Sequence, residues 1–375
     1  MAGIYIHIPF CKQKCSYCNF HFSTNLSRKS EMLQAINREI ELRASEIQKY
    51  TIETIYFGGG TPSVLTVDEM HSLISTLGGT VSLDQVVEVT MECNPDDLNP
   101  DYLQALLNET MVDRISIGIQ SFHDPHLKMM NRAHNGAEAG QSLEQIFNAG
   151  FEKVTADLIF GLPDNDLSIW QSNLARLVEF PVSHISCYGL TIEPNTALKH
   201  VIDKGLIDMP DESAARDQFY MTQEFLASKG YEQYEISNFC LPGQYAVHNT
   251  NYWKQVPYIG IGPSAHSYNG RERRFNVANN SQYLSAINRG IDFWETELLS
   301  ESDRYNEWIL TGLRTKWGID GSDAQQYSLN IREEFDDAVK KSIHAGWIEE
   351  SDGALCLTKS GKVLADYVIS SFFYV

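Results

Sequence analysis

Cys11, Cys15 and Cys18 stand at C-x3-C-x2-C spacing in "HIPFCKQKCSYCNFHF", three thiols within eight positions, directly after a β-branched run. Thiolates are the usual protein ligands of iron-sulfur clusters, and a cubane [4Fe-4S] cluster needs four ligands. Three cysteines therefore leave one iron for a small molecule. The amino and carboxylate groups of S-adenosylmethionine can chelate such an iron, and an electron from the cluster then cleaves the sulfonium to an adenosyl radical. Two other readings compete. His21 can complete a zinc tetrahedron with the three thiolates, although no second Cys or His pair follows at a usual distance. The thiols can also be plain core residues, although Lys12 and Lys14 beside them make a poor core pattern. Cys93, Cys187, Cys240 and Cys356 are scattered and read as buried free thiols.

Elements must carry this loop and whatever faces it. Up to about residue 190, six β-branched runs alternate with helical patterns: "GIYIHI", "TIYFGGG", "VVEVTME", "DRISIGI", "KVTADLIF" and "HISCYGL". Met32, Leu33, Ile36, Ile40 and Ile47 recur at helical spacing between the first two, and Thr66 with Glu69 forms a capping box ahead of the next helix. Repeated β-then-α order with nearly continuous apolar strands predicts a parallel sheet, curved or partly closed into an (βα)6 barrel. In such a barrel, functional groups gather at the C-terminal ends of the strands. That rule selects the cysteines after the first strand, Gly58 to Thr61 after the second, Glu92 after the third, Gln120 after the fourth and Asp157 on the fifth. Beyond residue 200 the pattern predicts a helix near 211–229, a strand in "YEQYEISNF", an aromatic Gly-rich stretch to about 270, helices from about 281, and a closing hairpin and helix.

Composition narrows the partners. The chain has 375 residues, enough for a large α/β domain and a smaller one, and a formal net charge of -20, which repels phosphate backbones and anionic membranes. Nucleic acid is not an expected partner. No basic n-region opens "MAGIYIHIPF" and no apolar run has membrane-spanning length, so the expectation is a cytoplasmic protein without a transmembrane segment.

"YIHIPFCKQKCSYCNF" and "YFGGGTPS", followed in order by "SIGIQSF", "NRAHN" and "ADLIFGLP", resemble the radical S-adenosylmethionine superfamily, and within it the coproporphyrinogen III dehydrogenase group. The resemblance runs along essentially the whole chain. It implies a partial (βα)6 radical SAM barrel with a small α-rich C-terminal domain: residues 1–285 for the barrel, its cluster and cofactor site and an H-N-x-x-Y-W extension, and 286–375 for the C-terminal domain. It further implies that Cys11, Cys15 and Cys18 hold a [4Fe-4S] cluster, with Tyr17 near the adenine of S-adenosylmethionine and Tyr5 beside that cofactor. Gly59, Gly60 and Thr61 match the backbone that approaches the methionine ammonium. Glu92, Gln120, Arg132 and Asp157 match positions around the ribose and methionine ends, with Arg132 forking the carboxylate. Thr191, Ala265 and His266 match adenine-side positions.

The group divides into dehydrogenases and HemW-type heme chaperones. The dehydrogenases carry a further cysteine two positions after the third, where this chain has Phe20, and an extension before the first strand, where this chain starts on "GIYIHI". "HNTNYW", His248 to Trp253, matches the motif that marks the chaperone type. The resemblance thus implies a protein that binds heme, with His248 as axial ligand beside Tyr252 and Trp253 and Cys240 as a second ligand to test, and that hands heme to acceptor proteins. An electron donor is implied, a homodimer is compatible, and oxidative decarboxylation of coproporphyrinogen III is the alternative activity.

Overall fold

A computed structural model describes residues 1–163 and 166–375. All six expected strands form: β1 (Ala2–Ile8), β2 (Ile52–Gly59), β3 (Glu88–Cys93), β4 (Arg114–Gln120), β5 (Lys153–Phe160) and β6 (His184–Gly189). They pair in chain order and in parallel. Helices between them cover the outer face, so the strands are buried on both sides, which is why they read as continuous apolar runs. Ile4, Ile6, Ile55, Phe57, Met91, Ile115, Ile117 and Ile185 lie in the main core. Met32, Leu33, Ile36, Ile40 and Ile47 are buried at their helical spacing, and both arms of the Thr66–Glu69 capping box are present.

The sheet continues past the six strands on both edges. β7 (Glu232–Gln233) and β8 (Asn238–Cys240) extend it antiparallel beyond β6. "YEQYEISNF" is thus a tight hairpin and not a single strand, because Glu235 turns the chain by accepting from the Ser237 amide at 3.1 Å. On the other edge β9 (Tyr258–Ile261) runs parallel to β1, followed by β10 (His266–Tyr268), β11 (Glu272–Asn276) and β12 (Trp294–Leu298). The twelve strands follow a linear order with β12 and β7 at the ends, so the barrel is open.

Residue 285 falls inside helix Asn280–Arg289, whose Tyr283, Leu284 and Ile287 pack into the barrel's core. The second hydrophobic core begins at Tyr305. Packing therefore argues for a division after β12. The strand WETEL lies at the sheet's edge; Trp294, Thr296 and Leu298 alternate with Glu295 and Glu297, but only five residues long and almost wholly exposed, it is a weak strand signal. The C-terminal unit contains helices Glu301–Leu313 and Leu329–His344 and the hairpin β13 (Ile348–Ser351) and β14 (Ala354–Leu357), then two short helices. It docks through Trp317, which packs against Tyr234 and Tyr245, and Lys316, whose amide donates to the Tyr234 carbonyl at 2.8 Å.

Helix Val247–Trp253 contains the whole H-N-x-x-Y-W motif, a regular element within the aromatic Gly-rich stretch. Its first amides meet Glu88 at the start of β3: Val247 N donates to Oε2 at 3.0 Å and His248 N to Oε1 at 2.9 Å. Glu88 also pairs with Arg114 at the start of β4, Nε to Oε2 at 2.8 Å, with both side chains buried. The helix thus closes the N-terminal end of the barrel, opposite the cysteines. Among the described residues no helix is long and apolar enough to cross a membrane.

Candidate functional site

A cavity of about 600 Å³ fills the barrel, from the cysteine loop down to the closing helix. Cys11, Cys15, Cys18, Tyr17 and Tyr5 line it from β1 and its loop, Gly59, Gly60 and Thr61 from the turn after β2, and Glu92, Gln120, Arg132, Asp157 and Thr191 from the later strands and loops. The strand-end placement brings these groups to one mouth. Ala265 and His266 are not among the lining residues. Ala265 is buried in the turn before β10, where its amide donates to Gly262 O at 3.2 Å, and the His266 ring packs edge-on to Phe275 outside the barrel. β10 sits between β9 and β11, two strands out from β1 and so beyond the six-strand barrel.

Backbone geometry sets the cysteine loop. The amide of Gly60 donates to Ile8 O at 2.9 Å and that of Thr61 to Phe10 O at 2.7 Å, tying the β2 turn to the loop. A Cβ on Gly60 would lie 2.5 Å from Phe10 O and 2.7 Å from Ile8 O. Gly59 has φ of 104° and its open side is filled by the His7 ring. Both positions require glycine, one for contact and one also for backbone conformation. Gly60→Ala is accordingly expected to displace the loop and lower iron retention after cluster reconstitution several-fold, while Gly79→Ala, which meets nothing within 4 Å, leaves it unchanged; iron analysis per chain checks both.

Thr61 Oγ1 donates to Cys11 Sγ at 3.3 Å and accepts from Asn94 Nδ2 at 3.1 Å. Burial pushes the Cys11 thiol up to about 12 and also raises that of Cys18, so ligand binding here must expel protons. Arg132 reaches the loop from the turn after helix Asp124–Met129: Nη1 donates to Cys15 Sγ at 3.3 Å, and Nη2 to Asn94 Oδ1 at 2.6 Å and Gly118 O at 2.8 Å. Its Nε is buried with no partner within the chain. The expected fork toward a carboxylate is thus partly committed to the protein, leaving the Nε donor and the second hydrogen on Nη1.

His21 does not join the cysteines. Its Nε2 lies 2.7 Å from Asn280 Oδ1 and its carbonyl 2.9 Å from His7 Nε2, and no three His, Cys, Asp or Glu side chains among the described residues converge tightly enough for a single metal ion. A zinc tetrahedron needs that convergence, whereas a cubane takes one thiolate per iron around a larger body. The donor set, all sulfur with a buried cation beside it, fits a cluster.

Below the mouth two carboxylates face each other's field. Glu92 accepts from Tyr56 Oη at 2.7 Å and from the Gly59 amide at 3.2 Å. Burial pushes it up to about 7 against those hydrogen bonds, and the Asp157 charge adds to the rise. Burial likewise pushes Asp157 up to about 6, opposed by its bond to Ser186 and by Arg132. Gln120 enters on a bulge, where the β4–β5 register shifts and its own φ is 65°, which turns its side chain into the cavity.

His248 also lines the cavity, but at the closed end. It is 2% exposed; Nδ1 lies 2.7 Å from Thr54 Oγ1 and Nε2 2.9 Å from Tyr252 Oη, and its ring stacks on Tyr56 at 5.1 Å. Burial pushes its pKa down to about 3. An iron bond at Nε2 would have to take the place of the Tyr252 hydroxyl, and without heme the motif packs as the barrel's lower seal. Cys240 is buried on β8 and is not among the cavity's lining residues.

Sequence reasoning missed Tyr56, Thr90, Thr155, Ser186 and Tyr188, all lining the cavity. A signal existed: Thr90, Thr155 and Ser186 or Tyr188 lie at period two from residues already chosen by strand-end placement or from each other. Asn94, which links Thr61 to Arg132, also lies two positions beyond Glu92, just past the end of β3.

The match to known proteins agrees with this geometry. Residues 5–172 match the Radical SAM superfamily and residues 299–364 the HemN C-terminal domain. The chain is 30% identical over 376 residues to the heme chaperone HemW of Bacillus subtilis, covering 99% of each chain. It is 35% identical to that of Lactococcus lactis over 84% of this chain and 82% of the relative, and 36% identical to that of Escherichia coli over 70% and 69%. The coproporphyrinogen III oxidase HemN of Escherichia coli superposes with a TM-score of 0.85 at 22% identity, covering 99% of this chain and 90% of that one, which shows a shared fold. A sulfur-lined open barrel, a HemN-type C-terminal unit and near full-length similarity to HemW together place this chain in the HemW heme chaperone family of the radical SAM superfamily.

Proposed function

We propose that this protein is a heme chaperone that binds heme and passes it to acceptor proteins, with a [4Fe-4S] cluster on Cys11, Cys15 and Cys18 and S-adenosylmethionine in the barrel. The single observation that carries the cofactor part is the convergence of three thiols, the Gly59–Thr61 turn and the Arg132 guanidinium at one mouth. The heme part rests on the HemW relatives. When bound, the cluster supplies one-electron chemistry at its open iron. The chain's own residues do the rest: the thiolates hold the cluster, Arg132 offsets their charge from 3.3 Å at Cys15, and the Gly59 and Gly60 turn keeps the loop against β2. The helix Val247–Trp253 excludes water from below.

Glu92 and Asp157 are suited to meet the cofactor's cationic groups. Glu92 has a pKa above its ordinary 4.5, so the empty folded chain holds a proton there that the unfolded chain loses between about pH 4.5 and 7. Stability of the empty chain therefore falls as pH rises through that window. A bound cation reverses the preference, so cofactor binding releases a proton near pH 6.5 and tightens as pH rises from about 6 to 8. Calorimetry in buffers of different ionisation heat is expected to show that release in wild type and its loss in Glu92→Gln; equal heats in all buffers for wild type would refute it.

The test of the function is an anaerobic hemin titration of cluster-reconstituted chain, followed by Soret absorbance, then incubation with an apo-hemoprotein. Saturation near one hemin per chain and transfer are expected. The retained cofactor cavity favours one second reading, decarboxylation of coproporphyrinogen III; product formation with reductant and cofactor, without hemin saturation, would select it.

A further inference from the structure

We infer that a row of aromatic rings through the barrel wall is a relay for oxidising equivalents, carrying them from a strong oxidant in the cavity out to Tyr258 and Tyr268, where a small thiol discharges them. It depends on the proposed cofactors only for the source of that oxidant, since iron centres meeting peroxide generate one. Tyr5 and Tyr56 line the cavity and stack on each other, centroids 6.0 Å and planes 23° apart. Tyr56 stacks in turn on the His248 ring at 5.1 Å. His248 meets Tyr252 edge-on at 4.9 Å, Tyr252 meets Tyr258 at 4.6 Å, and Tyr258 lies 6.1 Å from Tyr268, its pairing partner across β9 and β10. Every step is a ring contact. Tyr258 is half-buried, and both outer tyrosines feel the charges of Arg273 and Glu307, an ion pair at the junction with the C-terminal unit.

A phenol gives up an electron readily only where its proton has a base to receive it, and the inner part of the row supplies one at each hydroxyl. Tyr5 Oη lies 3.3 Å from His7 Nδ1, Tyr56 Oη donates to Glu92 Oε1 at 2.7 Å, and Tyr252 Oη lies 2.9 Å from His248 Nε2. His7 Nε2 lies 2.9 Å from the His21 carbonyl, which can only accept, so in the neutral ring Nδ1 is the free base toward Tyr5. Buried Tyr231 and Tyr305, off the row, donate to backbone carbonyls, which take up no proton. Tyr245 and Tyr283 face carboxylates, but neither ring stacks on a member of the row. The oxidant removes one electron from Tyr5, whose proton moves to His7. Tyr56 then refills Tyr5 as that proton returns, and its own proton moves to Glu92. Tyr252 refills Tyr56 across the His248 ring in the same way, parking its proton on Nε2. Tyr258 or Tyr268 supplies the last electron and releases its proton to solvent; a thiol restores both as a hydrogen atom and is left as a thiyl radical. One electron crosses the wall per oxidant, and no proton does. The low-potential electrons that a cluster accepts cannot take this route, because a phenol yields its electron only to a strong oxidant.

The test places a photo-oxidant at the mouth of the full-length apo chain, so it needs neither heme nor S-adenosylmethionine and its outcome leaves the chaperone reading to its own titration. A ruthenium polypyridyl complex is coupled to Phe20→Cys, a position 70% exposed at the cavity rim, in a parent chain carrying Cys15→Ser, Cys18→Ser and Cys356→Ser. Flash oxidation with an irreversible quencher is followed by electron paramagnetic resonance and by mapping nitroso-trap adducts with peptide mass spectrometry. Adducts at Tyr258 or Tyr268 are expected, and glutathione should suppress them. Tyr56→Phe should cut these outer adducts about tenfold or more while those at Tyr5 persist, and Tyr56→Trp should restore them to within about threefold, because indole is also oxidisable. Tyr252→Phe breaks the row one phenol further out and should cut them equally, which keeps the test decisive where Tyr56→Phe fails to fold. Tyr305→Phe, in the second core, should leave them unchanged. No outer adduct in the parent chain, or outer yields within twofold of the parent in a folded Tyr56→Phe or Tyr252→Phe chain, overturns the relay.

Discussion

Glu88→Ala is expected to lower the melting temperature of the apo chain by about 4–6 °C, corresponding to about 3–5 kcal/mol for removing one partner of a buried ion pair. Glu88 and Arg114 are 1% and 2% exposed, and Arg114 also donates to Tyr245 O at 3.1 Å and Thr155 Oγ1 at 3.3 Å. Alanine leaves a guanidinium buried without its counter-charge and strips the acceptor from the first amides of helix Val247–Trp253. The barrel's lower seal should loosen, exposing His248 to exchange. The double variant Glu88→Leu with Arg114→Met is expected to be less destabilised than either single change, because neither charge is then stranded. Scanning calorimetry with hydrogen exchange at His248 to Trp253 checks this; a shift under about 2 °C in Glu88→Ala would show that the pair contributes little.

Cys15→Ser is expected to reduce reconstituted iron from about four per chain to below about one, since a hydroxyl stays protonated where a thiol ionises and is a poor iron ligand. Arg132 Nη1 then meets a neutral hydroxyl acceptor in place of sulfur that can ionise. Cys93→Ser makes the matched control: Cys93 lines the same cavity but is buried on β3 with its thiol 3.7 Å from Met91 O, so it should retain full iron. Arg132→Met should fall between, keeping the three ligands but removing the cation that offsets their charge. Iron and sulfide analysis distinguishes the three. Full iron in Cys15→Ser would mean that the C-x3-C-x2-C loop does not hold the cluster.

The ligand set of the mouth was legible in the sequence because its information is short-range. Three thiols within eight positions narrow the chemistry to a few choices without a fold. The β-then-α order does the next step, since a parallel barrel puts every strand's C-terminal end on one side, and Glu92, Gln120 and Asp157 followed from that rule. The two glycines after β2 were also readable, though only the structure shows that their missing side chains make room for Phe10 O and the His7 ring.

Tertiary structure alone decided which residues oppose that mouth. His248 lies about sixty residues beyond β6 in sequence, and nothing in "HNTNYW" states that the segment forms a helix across the starts of β2, β3 and β4. That placement is made by long-range partners, Thr54, Glu88 and Arg114, each unremarkable in its own stretch. The edge strand β12 is a related case, since its place is set by pairing with β11. Local spacing narrowed what chemistry the chain can hold; which end of the barrel is closed was settled by contacts between segments more than a hundred residues apart.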